Sequence, residues 1–247
     1  MRHRTKQLKV GLIFVILALL LQVTPVLAEG QGNNPKVLPP QSSAFGKTYG
    51  EWSAMWWQWA FSIPVPDNPL LDQTGEKCGV GQSGKVWFLV GTFVNTLTPT
   101  GDTLGQATRN CTIPAGKAIF FPILNAEWDE IGQNPPLTVE QLRQLAADAM
   151  DTTKNLSASV DGHSIRLTDN NGKQIYRVTS PVFSFTLPED NIYGQPAGDY
   201  YPVVGDGVYL MLAPLSVGTH TIHFHGESSL PDGSSFILDI TYHLMVK

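Results

Sequence analysis

Short apolar runs dominate the chain from Lys85 onward. "KVWFLVGTF" (85–93), "KAIFFPILN" (117–125), "SASVDGHSIRL" (157–167), "YRVTSPVFSFTL" (176–187), "GVYLMLAPL" (207–215), "GTHTIHFHG" (218–226) and "SFILDITYHLMV" (235–246) are rich in Val, Ile, Phe, Tyr and Thr. Gly, Pro, Asn and Asp separate them, which is how strands and their connections read. "DNNGK" (169–173) is a turn between two such runs. The spacing predicts a mainly β protein, an antiparallel β-sandwich of Ig-like or jelly-roll type. No period of the length used by solenoids or propellers recurs.

Two segments carry a helical period instead. In "YGEWSAMWWQWAFSIPVP", Tyr49, Trp52, Trp56, Trp59 and Ile63 lie three or four apart and form one stripe. Pro64 and Pro66 end it, so a Trp-rich helix is expected near 49–62. In "PPLTVEQLRQLAADAMDTT", Thr138 and Gln141 form a capping box, with Leu137 and Leu142 as its hydrophobic staple. Leu142, Leu145, Ala149 and Met150 supply one apolar face, predicting an amphipathic helix near 138–152 inserted among the strands.

The N-terminus has a different pattern again. Arg2, Arg4, Lys6 and Lys9 precede the uncharged apolar run Val10 to Leu21, and small residues surround Ala28. This is the layout of a secretory signal peptide over residues 1–28, cleaved after Ala28. The run is short for a membrane span, so no stable anchor is expected after cleavage. Residues 29–44, rich in Gly, Asn, Pro and Gln, read as a flexible leader, and 45–247 as a single domain. The expected location is the periplasm or the extracellular space.

Export changes the reading of charge and cysteine. The chain has 16 Lys+Arg and 21 Asp+Glu. Four of the basic residues and none of the acidic ones lie before the cleavage point, so the mature chain is more acidic than the whole. No Lys/Arg stripe is present, which argues against a nucleic-acid partner. Cys78 and Cys111 are the two cysteines. In an exported chain they are expected to pair, closing a loop worth ~3–4 kcal/mol in the chain-entropy account. Gly-x-Ser-x-Gly, P-loop and dinucleotide motifs are absent.

Candidate chemistry concentrates in two places. In "GTHTIHFHG", strand alternation sends Ile222 and Phe224 inward and Thr221, His223 and His225 outward. His220 belongs to the Ile222 side, so the three histidines do not converge. The next strand turns Phe236, Leu238, Ile240, Tyr242 and Leu244 inward. With "ESSLPDGS" (227–234) as the loop, a hairpin places Ile222 opposite Ile240 or Leu238. In the first register His223 faces Asp239, Cβ atoms about 5 Å apart. His223, His225 and Asp239 are then candidate ligands of one Cu, Zn or Fe ion, with His243 about 13 Å further along the strand. The second place is "NAEWDE", where Glu127, Trp128 and Asp129 follow a buried run and are candidate ligand-binding residues. Two carboxylates across a bond are the requirement of glycoside hydrolysis, and Trp52, Trp56, Trp57 and Trp59, if exposed, would stack sugars.

"HTIHFHG" resembles the His-x-His-Gly motif of multicopper oxidases over about seven residues. The chain has no second His-x-His and no histidine beside a cysteine, so only a single mononuclear site is compatible with it. More broadly, "YGEWSAMWWQWAFSIP", "NPLLDQTGEKCGVGQSGKVWFL", "CTIPAGKAIFFPILNAEWD", "SPVFSFTLPEDN" and "GTHTIHF…DITYHL" resemble a family of uncharacterised exported bacterial proteins. That resemblance spans most of 45–246 and implies export and a shared fold, with no activity attached. Three functions follow as expectations. The first is a non-catalytic exported binding or structural protein. The second is a metal-binding protein or metalloenzyme using His223, His225 and Asp239. The third is a carbohydrate-active protein using Glu127, Asp129 and the tryptophans.

Overall fold

The computed structural model describes residues 37–247; the segment 1–28 expected to be a signal peptide and the start of the expected leader lie outside the described residues. Two helices, α1 (Tyr49–Ser62) and α2 (Val139–Asp151), accompany eleven strands among the described residues. In chain order the strands are β1 (Val86–Phe88), β2 (Asn95–Leu97), β3 (Thr103–Ile113), β4 (Ala118–Trp128), β5 (Thr153–Val160), β6 (His163–Ser164), β7 (Arg177–Thr179), β8 (Phe183–Leu187), β9 (Gly198–Leu212), β10 (Gly218–Ser229) and β11 (Ser235–Val246). A five-stranded sheet runs β1-β4-β9-β7, with β8 also paired to β9, and a six-stranded sheet runs β2-β3-β11-β10-β5-β6. The two pack as a sandwich, with Phe121 of one against Phe224 of the other, ring centroids 5.1 Å apart.

The mainly β sandwich with its two helices matches the expectation, but two ladders are parallel. β1 runs parallel to β4 and β11 parallel to β3. Strand β11 is the last in the chain, yet it lies between β10 and β3. Hairpin reasoning pairs only sequence neighbours, so it foresees β10–β11 and not β11–β3. Strand β3 itself escapes the hydrophobic pattern. Its inward positions are Gly105, Ala107, Arg109, Cys111 and Ile113, mostly small or charged residues that carry no apolar alternation.

Helix α1 begins at a capping box in which the Glu51 N–H donates to Thr48 and the Thr48 N–H donates to the Glu51 carboxylate. It covers the outer face of the five-stranded sheet and is buried nearly all round, Trp52, Trp56, Trp57 and Trp59 included. Its contact with the sheet edge is close: a Cβ on Gly50 would strike the Thr179 carbonyl. Three indoles are anchored by donation to backbone carbonyls, Trp52 to Ala44 (2.8 Å), Trp56 to Leu89 (2.8 Å) and Trp59 to Val80 (3.1 Å). A buried indole N–H needs such a partner.

The end of the expected leader is held in place as well. Val37 bridges to Leu212, the Leu38 N–H donates to Met211, and Tyr49 Oη donates to the Leu38 carbonyl. Val37 and Leu38 thus extend the edge of β9 at its end. Exposed backbone beside a sheet edge is satisfied by pairing, a gain that composition alone does not register.

Helix α2 starts at the predicted Thr138–Gln141 box. It buries Leu142, Ala146 and Met150, every fourth residue: Leu142 and Ala146 lie against Val204, with Trp128, Leu137 and Val182 around them, and Met150 joins the main core. Cys78 and Cys111 form a disulfide, Cα atoms 6.0 Å apart, tying the 72–80 loop to β3.

Candidate functional site

The β10–β11 hairpin turns at Leu230–Ser234. Ser229 pairs with Ser235, the Leu230 N–H donates to Ser234, and Asp232 accepts from the Ser234 N–H. The strands therefore continue into the stretch read as loop, and the register is neither of the two expected ones, differing by two residues from the one that pairs Ile222 with Ile240. Phe224 faces Ile240, Ile222 faces Tyr242, and His225, not His223, faces Asp239. The shift keeps every inward residue inward, because strand alternation has a period of two.

His223, His225 and Asp239 nevertheless meet. His223 Nε2 lies 3.4 Å from Asp239 Oδ1, and His225 Nδ1 lies 3.3 Å from Asp239 Oδ2. The other nitrogen of His225 lies 3.5 Å from the Glu227 carboxylate. The result is a chain, Glu227–His225–Asp239–His223, in which each imidazole addresses its own carboxylate oxygen. The Asp239 carboxylate serves both rings, and among the described residues no group of three or more His, Cys, Asp or Glu side chains is placed to hold a metal ion. Glu227, which the sequence reading placed at the start of the loop, belongs to β10 and stands two residues beyond His225 on the same strand face.

This chain of contacts crosses the open side of the six-stranded sheet. Rows across that side read Gln106–Asp239–His225–Ser157, Thr108–Thr241–His223–Ser159 and Asn110–His243–Thr221. All are exposed or half-buried, and the residues between them are buried. At one end Asn110, Thr112, Thr219, Thr221, His243 and Met245 line a shallow groove of about 380 Å³. His220 stands apart, as alternation requires: its Nδ1 lies 2.8 Å from Asp161 and its Nε2 2.9 Å from the Ser216 carbonyl.

The "NAEWDE" residues divide. Trp128 packs toward α2 with Val204, on the opposite side of the sheet from Glu127. Glu127 lies across from Gly205, and a Cβ on Gly205 would come within 3.1 Å of Trp57 Nε1. The bare glycine makes room for the indole there. Glu127 Oε2 accepts a hydrogen bond from the Tyr193 hydroxyl at 2.8 Å, and its buried Oε1 meets no donor. Burial pushes the Glu127 carboxyl up to about 8, and the Asp129 charge beside it adds to the shift. Burial also raises Asp129, against hydrogen bonds from the Ile131 N–H and from Glu127 that lower it. An oxygen without an incoming donor and the upward shift point the same way: Glu127 holds its proton more tightly than an ordinary carboxyl. Tyr193 is pushed far above the usual tyrosine range, first by burial and then by the Glu127 charge. Nothing in the local sequence around Tyr193 flags this role; loop 188–197 brings it to β4 through tertiary packing.

The tryptophans that would stack sugars are inside the protein. In comparisons with known proteins, no family model matches the chain, and no curated protein sequence matches it.

Proposed function

We propose that this chain is an exported binding or structural protein with no chemistry of its own, and that its working surface is the outer side of the β3–β11–β10–β5 layer. One observation carries the reading. The other sheet is covered on one side by α1 and on the other by the sandwich partner, whereas this side is left to solvent and gathers histidine, threonine, serine, asparagine and paired acids. Polar rows of this kind supply many directional donors and acceptors without an apolar core, which suits a polar partner. Export rests on the signal-peptide pattern of residues 1–28 and on the resemblance to exported bacterial proteins. The Cys78–Cys111 disulfide suits an oxidising compartment. Among the described residues no helix is long and apolar enough to cross a membrane.

A second reading is favoured by the meeting of His223, His225 and Asp239: a single Cu, Zn or Fe ion bound there after the rings turn toward one point. One preparation tests both. The protein is expressed with its own N-terminus, recovered from the exported fraction without a histidine tag, sequenced from its first residue and assayed for Cu, Zn and Fe by mass spectrometry beside His223→Ala/His225→Ala. A chain starting at Glu29 with no stoichiometric metal supports the first reading. Full-length protein retained in the cytoplasm overturns export. Stoichiometric metal, lost in the double variant, replaces the first reading with the second.

A further inference from the structure

We propose that Asn171–Gly172 is a self-modifying site, where the exposed turn 169–173 loses ammonia and becomes an isoaspartyl or aspartyl linkage without an enzyme. The chain contains one Asn–Gly step, and it lies at the tip of this turn. Thr168 bridges to Gln174, and the Asp169 N–H donates to the Lys173 carbonyl at 2.9 Å. Within that closure Asp169 Oδ1 accepts from the N–H groups of both Asn171 (2.8 Å) and Lys173 (2.9 Å). Asn170, Asn171 and Gly172 are exposed. The Asn170 side-chain oxygen accepts from Arg166, whereas among the described residues no such bond holds the Asn171 carboxamide. Gly172 has a φ of 80°, which glycine adopts without strain, and a Cβ built on it would meet nothing within 4 Å. The restraint on its nitrogen is a 3.2 Å hydrogen bond to the Asp169 carbonyl.

The step balances with water alone. The Gly172 amide nitrogen gives its proton to hydroxide and attacks Cγ of Asn171. The N–Cγ bond forms, the Cγ–Nδ2 bond breaks, and the leaving nitrogen departs as ammonia. A succinimide then spans the two residues, and water opens it at either carbonyl. Cleavage at Cγ leaves aspartate at 171; cleavage at the backbone carbonyl carbon leaves isoaspartate, with the main chain routed through Cγ. Nothing is oxidised or reduced. Glycine as the following residue favours the attack, because it has no Cβ to crowd the nitrogen. The charged groups at the turn are Asp169, Lys173 and Arg166, and the N–H groups of Lys173 and Asn171 hold the Asp169 carboxyl below the usual carboxylate range. A new carboxylate at 171 puts a like charge two residues from it. The extra main-chain carbon of isoaspartate also breaks the spacing by which two N–H groups reach one oxygen. The turn and its Thr168–Gln174 bridge loosen together. Gln174 donates to Thr153 at the head of β5 (2.8 Å), so the loosening reaches the six-stranded sheet there.

Incubation of the full exported chain at pH 8.5 and 37 °C, followed by brief tryptic digestion and mass spectrometry beside an unincubated blank, tests this. Trypsin releases Leu167–Lys173 as one peptide, whose amide, aspartyl and isoaspartyl forms separate by chromatography. Expected is conversion of Asn171 ahead of every other asparagine, with isoaspartate exceeding aspartate, at a rate within tenfold of the same segment as a synthetic peptide. Asn171→Gln, whose larger ring closes poorly, is expected to convert at least tenfold more slowly. Amide hydrogen exchange of the converted protein is expected to show lost protection over 168–174, with β9 unchanged. A folded chain that keeps its amide while the peptide converts overturns the site, since the hydrogen bond to Asp169 then guards the nitrogen. Aspartate without isoaspartate overturns the succinimide route. Earlier conversion at another asparagine overturns the assignment to Asn171, and unchanged exchange over 168–174 overturns the loosening.

Discussion

Arg109 is the residue whose removal the fold should feel most. It points inward from β3 and is 1% exposed. Its guanidinium donates to the carbonyls of Asp72 (2.7 Å), Val90 (2.9 Å) and Gly91 (2.9 Å) and to the Tyr242 hydroxyl (2.8 Å). It also lies 5.3 Å from the centre of the Tyr242 ring. Tyr242 in turn holds Val90, donating to its carbonyl and accepting from its N–H. One cation therefore joins the loop before Cys78, the segment after β1 and the centre of the six-stranded sheet. Arg109→Met keeps the bulk and leaves the carbonyls without their charged donor. A hydrogen bond to a charged group contributes ~1.5–3 kcal/mol, and orphaned buried acceptors cost ~1–3 kcal/mol each. Against this stands relief from the desolvation of a buried charge, several kcal/mol. The net expectation is a loss of about 3–5 kcal/mol, equivalent to about 6–20 °C in Tm for a domain of this size. Arg109→Lys, with one point of donation in place of a fork, should fall between. Urea unfolding followed by circular dichroism measures the loss. An Arg109→Met protein within about 1 kcal/mol of wild type would show that these carbonyls find other partners, and the argument from orphaned acceptors would fail.

Three further outcomes are expected. Glu127 holds its proton in the folded chain up to about pH 8 but ionises near the ordinary carboxylate value of 4.5 once unfolded. Between those values the folded state binds more protons, so its contribution is fully present at low pH and lost as pH rises. The slope approaches ~1.4 kcal/mol per pH unit. Urea titrations at pH 5 and pH 8 should find wild type losing about 2–4 kcal/mol relative to Glu127→Gln; parallel curves would refute the assignment. Gly50→Ala should destabilise by about 1–3 kcal/mol, because the new Cβ strikes the Thr179 carbonyl, whereas Gly116→Ala meets open space and suffers only from its positive φ of 83°; thermal melts of the two compare packing with backbone strain. Cys78→Ala/Cys111→Ala should lose ~3 kcal/mol, read from its unfolding midpoint, with no further loss on adding a reductant.

Helical period together with its end signals placed both helices to within a residue or two, since Pro64 stops α1 and Thr138 caps α2. Cysteine count and compartment were enough to expect the Cys78–Cys111 bond. Most strands were legible because their inward residues are large and apolar. β3 was not, because what it buries is Gly105, Ala107, Arg109 and Cys111, and those residues make sense only beside the carbonyls and the sulfur that meet them. Alternation put His223, His225 and Asp239 on one side of the sheet in any register that keeps Ile222, Phe224 and Ile240 inside. Which histidine faces the aspartate was settled by the turn at Leu230–Ser234. Glu127 and Asp129 of "NAEWDE" were visible as acids, but their surroundings were not. Burial raises Glu127, and the arrival of Tyr193 from far along the chain gives its Oε2 a donor. Local pattern records which way a side chain points. Dielectric surroundings and long-range partners, which decide whether that side chain carries a charge, exist only once the chain has closed on itself.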